Sequence, residues 1–273
     1  MARRPNDPNA PDLTPAGSVL EAPVPVERGR RPTVILVGAD KGGVGKTTVA
    51  RILSDYLMDR GIPLRAFDTE IPRGTFKRFH APITELVDIT STADQMRILD
   101  TLHSTQAKVT LIDTRAGALA QTLRVLRDIG FFDAVAEGQF NFVLLHVLGP
   151  SIASLDEIAE TAPFTANAHY FLVKNYVNDT TFFEWDPETY LSYFAKSRSA
   201  SEITVPKLSE MAFEQVEIAG SSFTTFVDNK NPDGRPATHS FVLRGYVRNW
   251  QRKIADEFDR IGLLDLVGLQ AQR

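Results

Sequence analysis

The stretch Thr33-Val34-Ile35-Leu36-Val37-Gly38-Ala39-Asp40-Lys41-Gly42-Gly43-Val44-Gly45-Lys46-Thr47-Thr48 decides the fold. It opens on β-branched and aliphatic residues, passes through a glycine-rich turn, and closes on Lys-Thr-Thr ahead of Val49-Ala50-Arg51-Ile52-Leu53. Strand, glycine loop and helix in that order match the phosphate-binding pattern G-x-x-x-x-G-K-[ST], with Asp40 at the place of its first glycine. Glycines let backbone N–H groups curl around an anion, and the helix N-terminus adds partial positive charge. The loop residues Gly42, Gly43, Val44, Gly45, Lys46, Thr47 and Thr48 are therefore expected to hold a nucleotide's phosphates. Lys46 is expected on the β- and γ-phosphates, and the Thr47 hydroxyl on Mg²⁺. A glycine turn that binds nothing is the plainer alternative. Four agreeing features, the strand, the loop, the Lys-Thr pair and the helix, weigh against it.

Similar short apolar runs recur outward from this stretch. They are Leu64–Phe67, Val109–Ile112, Phe142–Val147, His169–Val173 and the weaker Ile203–Val205. Nearly all-apolar strands are those covered on both faces of a parallel sheet. Helix-length segments lie between them, such as Thr47–Arg60, Ala118–Asp128 and Ser151–Thr161. The expected class is α/β: a doubly wound, mostly parallel sheet with helices on both faces, as in P-loop NTPases. A last helix is expected over Ser240–Asp259, with Leu243, Val247, Trp250, Ile254, Phe258 and Ile261 forming its buried stripe.

The chain has 273 residues, 43% of them hydrophobic, a net charge of −4 and no cysteine. That composition builds an ordinary globular core, and any contact with DNA would need a local basic patch. Thiolate zinc sites, iron–sulfur clusters and disulfides are excluded for this chain. No apolar run approaches the roughly 18 residues that span a bilayer, and a secretory leader pattern is missing. A cytoplasmic protein is expected, associated with the nucleoid if it binds DNA. Residues 1–31 are rich in proline and read as a flexible tail, leaving 32–273 as a single P-loop ATPase domain.

Lys41-Gly42-Gly43-Val44-Gly45-Lys46-Thr47 resembles the deviant Walker A loop of the ParA/MinD partitioning and positioning ATPases. The resemblance implies ATP and Mg²⁺ as ligands and a homodimer in the ATP state. It makes Lys41 the signature lysine, which reaches the partner subunit's phosphates. It implies that Asp68 lies near the metal's hydration shell and that Glu70 orients the attacking water; Glu70 stands where the family carries the shorter aspartate. Misplacement by about 1 Å can cost a hundredfold in rate, so slow hydrolysis is expected. Asp113, at the end of Leu111-Ile112-Asp113, reads as the Walker B acid, a metal ligand beside Thr47 and Asp68. Gly117 is placed to offer an N–H to the γ-phosphate, and Arg115 departs from the family pattern.

Tyr170–Asn175 and Val205-Pro206-Lys207 resemble the family's base-contacting strand ends, giving Asn175 and Pro206 as nucleotide contacts. For Asn175 an ordinary strand-capping role is the alternative. Asn229-Lys230-Asn231-Pro232 lacks the final acid of a guanine-reading motif. Arg244, Arg248 and Arg252 recur at helical spacing and form a candidate nonspecific DNA contact, with a solvated helix face as the alternative. The apolar stretch Ile261–Leu269 holds Asp265 and few cations, which favours packing on the domain over a membrane-surface helix. The expected function is an ATP-dependent dimerising switch that positions or partitions DNA or another cargo, stimulated by an unidentified activating protein. A MinD-like membrane-surface ATPase and a poorly hydrolysing nucleotide-binding regulator are the alternatives. Residues 130–141 and 176–200 are candidates for a partner site.

Overall fold

The structure is a computed structural model, which describes residues 31–177, 182–184, 186–195 and 200–268. The segment read as a flexible tail thus lies, up to residue 30, outside the described residues, as do parts of 176–200.

β1 (Thr33–Gly38) is buried along its whole length. Its side chains alternate between two separate apolar clusters, with Ile35 and Val37 in one and Val34 and Leu36 in the other. That two-sided burial is why the run contains no alternating polar residue. β1 pairs in parallel with β4 (Val109–Asp113) on one side and β5 (Asn141–Leu148) on the other. β2 (Leu64–Asp68) flanks β4, and β6 (His169–Asn175) and β7 (Ala200–Val205) extend the other edge. The seven-stranded order is β3-β2-β4-β1-β5-β6-β7, and every described pairing is parallel. The edge strand β3 (Thr84–Leu86) was not expected, because three residues with a central glutamate carry no periodic signal.

The helices divide between the two faces. α1 (Lys46–Asp59), α7 (Glu210–Ala219), α8 (Phe223–Val227), α9 (Phe241–Arg260) and α10 (Leu263–Leu266) contribute to the first cluster. α2 (Thr92–Leu99), α3 (Leu119–Asp128), α4 (Phe131–Ala136), α5 (Ile152–Thr161) and α6 (Pro187–Phe194) contribute to the second. In α9 the expected stripe faces the sheet: Val247, Trp250, Ile254 and Phe258 are buried, and Leu243 and Ile261 are partly so. Past α9, Leu263 and Val267 are buried, and the Leu266 carbonyl accepts from Thr33 Oγ1 (3.3 Å) and Asn141 Nδ2 (3.2 Å). The C-terminal apolar stretch therefore packs across the starts of β1 and β5, as far as residue 268. No helix among the described residues is long and apolar enough to cross a membrane.

Candidate functional site

Three adjacent strands end at one place. Val37 in β1 is opposite Asp113 in β4, and Asp113 is opposite Asp68 in β2. β1 lies where the chain reverses its direction across the sheet, the position at which open α/β sheets bind ligands beyond their carboxyl ends. The glycine loop leaves β1 here and turns into α1.

Loop geometry explains two of its glycines. Gly45 has φ +86°, and a Cβ there would lie 2.2 Å from Asn175 Nδ2. Gly43 has φ +75° with open space around it, so only its backbone conformation demands glycine. Asn175, the last residue of β6, donates to the carbonyls of Val44 (3.0 Å) and Gly45 (3.4 Å). Its amide braces the loop from the end of the strand.

Lys46 is 7% exposed, and its Nζ donates to the Lys41 carbonyl at 2.9 Å. Burial lowers its pKa, opposed by the carboxylates of Asp113, Glu157, Asp40 and Glu70. Thr47 Oγ1 donates to Asp113 Oδ2 at 2.8 Å, while Asp113 Oδ1 is buried without a hydrogen-bond partner. Burial pushes the Asp113 carboxyl up to about 8, helped by Asp68 and Glu70 and opposed by Thr47 and Lys46. A buried carboxylate oxygen with no donor beside a threonine hydroxyl fits a divalent cation, which would relieve that burial penalty. Among the described residues no group of three or more acidic or histidine side chains forms a cage by itself. Mg²⁺ needs none, since it is held by one or two protein ligands plus phosphate oxygens and water.

Asp68 is 1% exposed and saturated by backbone donors: Glu70 N at 2.8 Å on Oδ1, and Phe76 N (2.9 Å) and Lys77 N (3.1 Å) on Oδ2. It folds the 69–80 loop around itself. Glu70 is half-buried, and one of its carboxylate oxygens accepts the Thr75 hydroxyl. Lys41 is exposed, its stem passing Gly149 of the same chain. Arg115 is exposed, its backbone N–H donates to Thr69 Oγ1 at 2.8 Å, and it lines a groove with Asp88, Thr90 and Gln121.

Beside Thr48 and Asn175 lies a cavity of about 290 Å³ walled by Pro206, Phe213, Tyr176 and Trp250. Trp250 Nε1 is fixed by the Pro206 carbonyl at 2.6 Å. A flat aromatic and proline slot next to the phosphate loop suits a planar ring. Asn175 and Pro206 line this one cavity together with Trp250, which was read only as a core residue, and Phe213, which was not read at all.

Sequence reading also missed Glu157, His146 and Tyr170. Glu157 on α5 accepts the loop N–H groups of Asp40 and Lys41, both at 2.9 Å. His146 on β5 joins Glu157 through Nε2 (3.2 Å) and the Tyr170 hydroxyl through Nδ1 (2.8 Å). Burial alone would raise the Glu157 pKa, but His146 and the two loop N–H groups outweigh it and hold the carboxyl low. An ionised Glu157 accepts, so His146 Nε2 carries a proton toward it. Burial, with the nearby charge of Glu157, raises the Tyr170 hydroxyl far above its ordinary value, which keeps it protonated.

The three arginines of α9 are not equivalent. Arg244 is half-buried and donates to the Val227 carbonyl at 3.2 Å, closing the end of α8. Arg248 and Arg252 are exposed, beside Asp59 and Asp228 in one groove.

No protein-family model matches the chain. It is 24% identical over 193 residues to Protein MobD of Acidithiobacillus ferrooxidans, covering 67% of this chain and 82% of that protein. Among solved structures it is similar to a ParA family ATPase from Chlorobium tepidum TLS, at TM-score 0.50 and 14% identity, over 81% of this chain and 98% of the other. It is equally similar to the septum site-determining protein MinD of Pyrococcus horikoshii OT3 complexed with Mg-ADP, at TM-score 0.50 and 14% identity, over 85% and 97%. With the glycine loop at the end of the central strand, Asp113 beside it and an all-parallel sheet around both, the chain has the P-loop fold of the ParA/MinD ATPases.

Proposed function

We propose that this chain is an ATP-dependent dimerising switch of ParA type, which positions or partitions DNA or another cargo and hydrolyses ATP slowly. The observation that carries it is the pairing of a buried Lys46 with an exposed Lys41 on one loop. Lys46 already sits inside the loop on a carbonyl, from which it can turn to the β- and γ-phosphates of its own nucleotide. Lys41 stands free at the rim, where a cation can meet a second subunit's phosphates. The cavity at Pro206 and Trp250 receives the base. Thr47 and Asp113 would hold Mg²⁺, which when bound neutralises phosphate charge. Glu70 would orient the attacking water from the loop that Asp68 shapes.

The test is sedimentation of the wild type and Lys41→Ala with Mg·ATP, together with phosphate release from wild type and Lys46→Ala. ATP-driven dimers from the wild type alone, and turnover lost in Lys46→Ala, are expected. A wild type that stays monomeric with saturating Mg·ATP overturns the reading.

A second reading, a nucleotide-binding regulator with little turnover, is favoured by one contact: the Glu70 carboxylate is engaged by Thr75 of its own loop. Phosphate release that is near zero in the wild type and rises in Thr75→Ala would support it, and release unchanged in Thr75→Ala would count against it. For cargo, co-sedimentation with DNA and with liposomes separates a DNA-bound switch from a membrane-bound one. Since Arg244 is tied into the fold, Arg248 and Arg252 are the cations to remove.

A further inference from the structure

The phosphate-loop pattern begins with glycine, yet this chain has Asp40 there. The aspartate is engaged on every side. Its N–H is held by Glu157 at 2.9 Å, and its carbonyl accepts Gly117 N at 2.8 Å. Its carboxylate faces the first turn of α3, with Ala120 N 3.3 Å from both oxygens. α3 has no acidic residue in its first turn and no capping side chain of its own, so Asp40 supplies both functions from the neighbouring loop. The segment it grips, 114–120, leaves the Asp113 strand and packs on the phosphate loop at two further points. Ala116 Cβ lies 3.7 Å from a Cβ built at Gly42, and Leu119 Cδ1 lies 2.7 Å from one built at Gly38.

We propose that Asp40 is a positioning residue that latches the segment after Asp113 to the phosphate loop and thereby sets the preference for nucleoside triphosphate over diphosphate. This rests on the function proposed above. A third phosphate on this loop lies on the side of Asp113 and Gly117, and drawing the Gly117 N–H to it competes with the Asp40 carbonyl. Swinging the segment also pulls Ala120 from the carboxylate. A diphosphate asks for neither movement. The latch thus weakens triphosphate binding selectively, while the charge of Asp40 weakens both ligands, the triphosphate somewhat more because it carries one more negative charge. Those two effects separate by substitution. Asp40→Asn removes the charge and keeps an acceptor for Ala120, whereas Asp40→Gly removes both and restores the residue of the general pattern.

The experiment is calorimetric titration of wild type, Asp40→Asn and Asp40→Gly with Mg·ADP and with a Mg-bound ATP analogue carrying a non-cleavable β–γ bridge. In Asp40→Gly the ratio of triphosphate to diphosphate affinity is expected to stand about fivefold above that of Asp40→Asn, the scale of one cap interaction. In Asp40→Asn both affinities are expected to rise, the triphosphate's more, by the charge effect that Asp40→Gly shares. An unchanged ratio in Asp40→Gly, or the same ratio shift in both variants, overturns the latch while leaving the proposed function standing. A wild type that binds neither nucleotide overturns the proposed function, and the latch falls with it.

Discussion

Gly45 and His146 show how single side chains fix this loop. An alanine at position 45 would carry φ +86° and drive its Cβ into the Asn175 amide. Gly61, just past α1, also has a positive φ of +68°, yet has nothing within 4 Å. Gly61→Ala therefore meets only the left-handed backbone cost of about 1–2 kcal/mol. Gly45→Ala adds the displaced Asn175, so thermal unfolding is expected several degrees lower than for Gly61→Ala, with nucleotide binding lost in Gly45→Ala alone. Equal melting temperatures would show that Asn175 does not brace the loop. His146 is fully buried between Tyr170 and Glu157. His146→Phe makes the core more apolar but strands the Tyr170 hydroxyl and leaves Glu157 Oε2 with the Asp40 N–H as its remaining donor, which costs about 1–3 kcal/mol. Urea unfolding is expected to show a loss of at least that size; a stabilised variant would mean the Tyr170–His146–Glu157 network is incidental.

At the scale of elements, α1 carries a buried proton problem on the side away from the phosphate loop. Burial raises Asp55 to about 7, with Asp59 adding to it and Thr224, Arg51 and Ser222 opposing. Burial, aided by the charge of Arg51, lowers His80 to about 3. The two side chains are 3.7 Å apart, too far for a hydrogen bond, so between these values both are neutral. Unfolded, the same proton sits on histidine instead of aspartate between about pH 4 and 6.5. The signs follow. Asp55 binds more protons folded, so its contribution to stability is lost as pH rises from about 4 through 7. His80 binds fewer folded, so its contribution is lost as pH falls from about 6.5 toward 3. In the shared window the two slopes cancel. Relative to wild type, Asp55→Asn is expected to gain stability with rising pH over pH 4–6 by about 1.4 kcal/mol per unit, and His80→Gln to lose it at a similar rate. Denaturation curves of all three proteins that run parallel across that range would refute the pairing. Arg51 completes this cluster. It is 2% exposed, lies 3.4 Å from the Phe79 ring centroid and 4.4 Å from that of Phe223, and forms an ion pair with Glu217 of α7. The cluster ties the 69–80 loop to the body of the molecule.

For the molecule as a whole, the C-terminal turn closes the sheet. Leu263 is fully buried, and the Leu266 carbonyl is shared by β1 and β5. Leu263→Ala is expected to cost about 2–5 kcal/mol. Were this stretch instead a membrane-seeking segment, the substitution would leave stability in solution unchanged and weaken liposome binding, so the two measurements together decide. The groove containing Arg248, Arg252, Asp59 and Asp228 is mixed in charge. A DNA contact there would neutralise few phosphates, and a shallow salt dependence is expected if DNA binds through it.

The fold was legible from residue order because the covalent neighbourhood carries its own physics. A two-sided buried strand must be apolar throughout, a loop around phosphate must be glycine-rich, and an acid closing an apolar run faces the crevice, so β1, Lys46, Thr47 and Asp113 could be read from sequence alone. Strand β3 could not, being held by its neighbour rather than by its own three residues. Nor could the supports of the loop. Glu157 lies 117 positions from Asp40, and Asn175 lies 131 from Val44, and nothing local marks either as a partner. Asp40 was visible as a departure from glycine, but its grip on α3 was not. The sequence by itself determined which residues gather beyond the carboxyl end of the central strands; the tertiary structure decided what holds those residues in place. The reason is that hydrogen bonds between distant segments form only once the sheet has brought α5, β6 and α3 against one loop.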